Sequence, residues 1–97
     1  MNYNVCKLKI LENFRFYVTF EDNSSGEVRI PQSWLTGVFA PLKDPVNFKK
    51  AFINQGAVAW LINGNILDLA PDTMYKEIKV NNGIYVLGER NSSRKSK

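Results

Sequence analysis

The sequence predicts an α+β fold: an antiparallel β-meander sheet with one or two short helices packed on one side and a C-terminal hairpin. Three observations carry that expectation. Apolar and polar residues alternate with period two between Cys6 and Ile30. Asn63-Gly64, the favoured pair for a tight hairpin, stands between two apolar runs. Asp44-Pro45 and Pro71-Asp72 each place a proline and an aspartate where a short helix would start.

Taken in order, Cys6, Leu8 and Ile10 alternate with Lys7 and Lys9, the pattern of a half-buried strand. A second strand carries Phe14, Phe16, Val18 and Phe20 on one face and Arg15, Tyr17 and Thr19 on the other. The polar run Glu21 to Gly26 is a turn, with Gly26 suited to a positive φ. Val28 and Ile30, alternating with Glu27 and Arg29, make a shorter third strand. Pro31 to Leu35 is long enough for one helical turn only, and Gly37 would stop it. Asp44 to Ala51 should form one or two turns, capped by Asp44 and facing Phe48 inward. An extended pattern resumes at Phe52 and Ile53.

Ala57 to Ile62 is the longest apolar run and reads as a buried strand, with Trp60 in the core. Ile66 to Leu69 would be its returning arm. Pro71 to Tyr75 suggests another short turn of helix. Glu77 to Val80 and Ile84 to Leu87 flank Asn81-Asn82-Gly83, which predicts a second hairpin. Residues 1–88 are expected to form one domain, and residues 89–97 a basic, flexible tail.

Between these elements lies an ordered string of motifs. It runs from the Glu27-Val28-Arg29-Ile30 strand through Gly37-Val38-Phe39-Ala40-Pro41-Leu42-Lys43-Asp44-Pro45 and Phe48. It continues with Trp60, Asn63-Gly64 and Asp68-Leu69-Ala70-Pro71-Asp72-Thr73-Met74-Tyr75. This order resembles the small bacterial domain-of-unknown-function family 2442, over roughly residues 3–75. Leu61 stands where members of that family usually carry proline, and the final segment from Glu77 lies beyond the resemblance. The resemblance implies a short prokaryotic, cytoplasmic protein found beside small partners, in arrangements like toxin–antitoxin pairs or fused to a helix-turn-helix. It implies no catalytic residues.

Composition narrows the chemistry. The chain has no histidine, which removes the commonest general base and the commonest neutral metal ligand. Cys6, the one cysteine, is expected on the apolar face of the first strand as a buried thiol. One cysteine makes no internal disulfide, which fits a reducing cytoplasm. Asp68 and Asp72 are four apart, but turn formation and helix capping account for them better than acid–base work. No glycine-rich phosphate loop and no apolar run of about 20 residues occurs. Neither an enzyme, a cofactor, a metal nor a membrane is expected.

Three of the four net positive charges lie after Gly88, contributed by Arg90, Arg94, Lys95 and Lys97 against Glu89. The body is nearly neutral. The leading expectation is a non-enzymatic module that binds another protein, with Trp34, Tyr17 and Tyr85 as candidate contact residues. Sheet-edge pairing, with a partner or as a homodimer, is its expected mode. The alternative is a nucleic-acid-binding accessory protein, using Lys49, Lys50, Arg90, Arg94, Lys95 and Lys97, with Arg15 and Arg29 completing the track.

Overall fold

A computed structural model describes residues 3–88. The basic tail, with Arg90, Arg94, Lys95 and Lys97, lies outside the described residues. The fold is α+β. Strands β1 (Val5–Leu11), β2 (Arg15–Phe20) and β3 (Ser25–Arg29) form the expected antiparallel meander. Two 3₁₀ segments follow, Gln32–Trp34 and Gly37–Lys43, then helix α1 (Pro45–Phe48). Strands β4 (Phe52–Asn54), β5 (Ala57–Ile62) and β6 (Asn65–Asp68) make a second antiparallel sheet. Helix α2 (Pro71–Val80) and strand β7 (Ile84–Val86) complete the chain, and β7 joins the first sheet in the order β1-β2-β3-β7.

The sheets enclose one core. Phe16, Val18, Phe20 and Val28 line the inner face of the first sheet, and Val58, Trp60 and Ile62 project from the second. Trp60 stands 6.2 Å from Phe16 and 5.7 Å from Phe48, ring centre to ring centre. Its Nε1 donates to the Phe48 carbonyl at 3.0 Å, so the one polar atom of the ring is satisfied inside the core.

Asp44 caps α1 as expected, its carboxylate accepting from the Val46 N–H at 3.0 Å with Pro45 at the first helical position. Asp44→Ala should therefore lower stability by about 0.5–2 kcal/mol in denaturant unfolding, while Asp44→Asn should cost much less. Asn63 (φ 52°) and Gly64 (φ 82°) form the tight β5–β6 turn that their sequence demands.

The structure corrects four expectations. The C-terminal hairpin does not form. Glu77 to Val80 are the end of α2, because Met74 and Ile78 share a buried helical face four residues apart while Val80 is exposed. Asn82 (φ 57°) and Gly83 (φ 94°) end that helix rather than turning a strand pair. The chain then enters β7 parallel to β3, a pairing that the crossover through α2 makes available. Asp72 lies in the first turn of α2 and bonds the neighbouring Thr73 N–H, but the cap position belongs to Ala70.

Cys6 is exposed, not buried, because the β1–β2 register slips between Val5 and Lys7. That irregularity turns Val5 inward and moves Cys6 out of the core face. Gly26 is not a turn residue with positive φ. It sits in β3 under α2, where an added Cβ would come 2.5 Å from Ile78 Cγ2 and 2.8 Å from the Gly83 carbonyl oxygen.

The β2–β3 turn is tied to α2 by polar contacts. Asp22 accepts from the Ser24 N–H at 2.9 Å and from the Tyr75 hydroxyl at 2.6 Å. These bonds, with the Tyr75 contact first, hold its carboxyl below the usual carboxylate range. A carboxyl lowered by folding stabilises the protein above its unfolded-state value. That contribution is lost as pH falls through the lower folded-state value. Asp22→Asn should flatten the loss of stability below about pH 4, read from urea unfolding at a series of pH values.

Candidate functional site

Two of the three candidate contact residues meet in one cleft of about 270 Å³. Trp34 reaches it from the first 3₁₀ segment and Phe39 from the second, their ring centres 4.8 Å apart and their planes at 46°. Leu69, Ala70 and Thr73 come from the junction of β6 with α2, Asp68 from the end of β6, and Tyr85 and Leu87 from β7 and its exit. Gly88 (φ 86°) closes against Trp34, where even a Cβ would come 3.3 Å from the indole Cδ1. Three aromatic rings and two leucines thus surround a space with one carboxylate and two hydroxyls, those of Thr73 and Tyr85, beside it.

Local sequence explains this arrangement. Pro31 fixes an extended entry that lets Gln32–Trp34 make a single 3₁₀ turn. Leu35 plugs into the core directly after it, which anchors the segment and leaves Trp34 half-buried. Gly37, at φ 57°, reverses the chain so that Phe39 returns to the tryptophan. Tyr85 pairs with Val28, so it lies on the inner side of β7.

The polar atoms of this cleft separate it from the other aromatic sites. Tyr17 shares its hydroxyl with Ser25 at 2.9 Å, Tyr75 donates to Asp22, and Trp60 donates to a carbonyl. Among the described residues, the Trp34 indole N–H, the Tyr85 hydroxyl, the Thr73 hydroxyl and the Asp68 carboxylate have no hydrogen-bonding or ion-pair partner. Burial, and then the nearby Glu77 carboxylate, raise the Tyr85 phenol above its ordinary value, so it remains a protonated donor near neutral pH. The cleft therefore offers apolar area with unspent donors and acceptors at its edge, the composition of a recognition site.

Tyr17 does not belong to it. It stands on the outer face of the first sheet, across from Lys9 and Glu27. By register, Lys7, Lys9, Arg15 and Arg29 share that face. Glu27 partly neutralises it, pairing with Arg29 Nε at 2.5 Å and Arg15 Nη1 at 3.4 Å. The Arg29 bond, ahead of the other interactions, lowers the Glu27 carboxyl and keeps it charged. Lys49 and Lys50 diverge. Lys49 borders a recess with Leu11, Asn13 and Phe14, whereas Lys50 borders one with Leu42, Trp60 and Asn63. The adjacent lysines thus do not form one track.

Sequence reasoning missed Phe39, Asp68 and Thr73 as site residues. Phe39 lies among turn and core residues, and Asp68 meets the aromatics only after β6 and α2 are placed. Lys7 and Lys9 were legible as the polar side of an alternating strand, but their shared face with Arg15 and Arg29 depends on the meander register. Among the described residues, no group of three or more cysteine, aspartate or glutamate side chains converges, and no helix is long and apolar enough to cross a membrane. Comparisons of the chain with protein-family models, with curated proteins and with solved structures find no match.

Proposed function

We propose that this protein is a non-enzymatic interaction module that binds another protein at the Trp34–Phe39–Tyr85 cleft. One observation carries this reading: an apolar, aromatic cleft whose polar atoms have no partner among the described residues. Of the residues that carry them, Trp34 and Tyr85 are half-buried, where an unpartnered polar group is costly, and a bound chain that satisfies their donors gains affinity and specificity together. The cleft also adjoins β7, an edge strand of the first sheet, so a partner lying beside β7 has backbone as well as side chains to engage. The ordered string from Gly37 to Tyr75, which resembles a family of small proteins set beside small partners, supports the same reading.

The test compares binding among folded variants. Tagged wild type and Tyr17→Ala should recover the same specific protein from the native host, and Trp34→Ala should lose it while retaining the wild-type circular dichroism spectrum. Equal recovery by Trp34→Ala rejects the cleft as the binding surface.

The second reading, nucleic-acid binding, draws support from Lys7, Lys9, Arg15 and Arg29 sharing an open sheet face with Tyr17. Such binding would be sequence-blind and steeply salt-dependent. Fluorescence anisotropy with a labelled single strand should show binding at low salt that weakens as salt is raised. No binding at low salt eliminates this reading.

A further inference from the structure

The cleft has a charge preference as well as a shape. Among the described residues its lining contains Asp68 and no cation, and Glu77 acts electrostatically on Tyr85 from α2. Aromatic faces carry negative potential, which attracts a cation placed over them, and guanidinium groups are the most frequent protein cations in that position. The Asp68 carboxylate is exposed and has no partner among the described residues. A guanidinium donates to a carboxylate in a planar fork and can lie flat on an aromatic ring at the same time. Its three-carbon stem needs apolar walls, which Leu69 and Leu87 provide.

From this juxtaposition of Trp34, Phe39, Tyr85 and Asp68 we infer that the cleft receives an arginine side chain from the partner. The inference rests on the interaction-module reading and names the chemistry of its anchor residue. The guanidinium lies against the aromatic faces and donates to Asp68, while the aliphatic stem is buried beside the leucines. A neutral side chain of the same shape gains the stem contacts but neither the charge attraction nor the charge-assisted hydrogen bonds.

The experiment titrates full-length, isotopically labelled protein with a capped Gly-Arg-Gly peptide and with its Gly-citrulline-Gly counterpart, which has the same shape and no charge. Resonances of the Trp34 indole and the Tyr85 ring report occupancy. The arginine peptide should move both and bind at least about ten-fold more tightly than the citrulline peptide. Asp68→Asn should abolish most of that advantage without altering citrulline binding, since the substitution keeps size and removes charge. Equal binding of the two peptides overturns the arginine inference and leaves the cleft an apolar docking site. Preserved arginine preference in Asp68→Asn overturns it as well. If neither peptide moves these resonances at about 10 mM, the inference fails. The variant pull-down still decides the broader interaction-module reading independently.

Discussion

Trp60→Ala is expected to destabilise the protein by about 3–5 kcal/mol, a large share of what a domain of this size possesses. The ring is 1% exposed and contacts Phe16 and Phe48 between the two sheets. Neither sheet can close the space that its removal leaves, because both are held by backbone ladders. The loss also includes a hydrogen bond: without the indole N–H, the Phe48 carbonyl retains, among the described residues, only the long contact from the Ala51 N–H at 3.3 Å. Trp60→Phe separates the two contributions, since it keeps an aromatic ring but removes the donor, and it should cost about 1–3 kcal/mol. Equilibrium urea unfolding of both variants checks the order. A wild-type transition for Trp60→Ala would show that the sheet interface does not depend on this ring.

Gly26→Ala is expected to be nearly as damaging for its size, at about 2–3 kcal/mol for one methyl group. The added carbon collides with Ile78 Cγ2 and Cδ1 on one side and with the Gly83 carbonyl oxygen on the other. That oxygen accepts the Glu27 N–H at 2.8 Å, so it cannot retreat without loosening the β3–β7 pair. The double variant Gly26→Ala/Ile78→Ala should be less unstable than the sum of its single variants, because removing the isoleucine relieves one of the two collisions. It should not recover the stability of Ile78→Ala alone, because the carbonyl remains. Strict additivity would show that α2 moves away from β3 in response to the methyl group.

Most of the fold was legible where periodicity and turn chemistry act over a few residues. Phe16, Val18 and Phe20 announce β2, Asn63-Gly64 the β5–β6 hairpin, Asp44-Pro45 the start of α1, and Trp60 the core. The misplaced end has a physical cause. Ile78 and Val80 are two residues apart, which suits a strand, while Met74 and Ile78 are four apart, which suits a helix. Both patterns are present in the same residues, and only the space beneath α2, cleared by Gly26, favours the helix.

By itself the sequence determined the α+β class, the meander and the near-neutral body, and it singled out Trp34, Tyr17 and Tyr85 as candidate contact residues. Tertiary structure alone decided that Trp34 and Tyr85 share a cleft while Tyr17 stands on the opposite side of the sheet. It also decided that Asp68 adjoins their rings, that Lys49 and Lys50 diverge, and that Cys6 is exposed. The reason is range. Alternation, capping and tight turns are set by neighbours along the chain, whereas the cleft assembles residues from positions 34 to 87 through a parallel crossover, and Cys6 is turned out by a one-residue slip in the β1–β2 register. Those depend on which surfaces pack best against each other, and no local pattern encodes that.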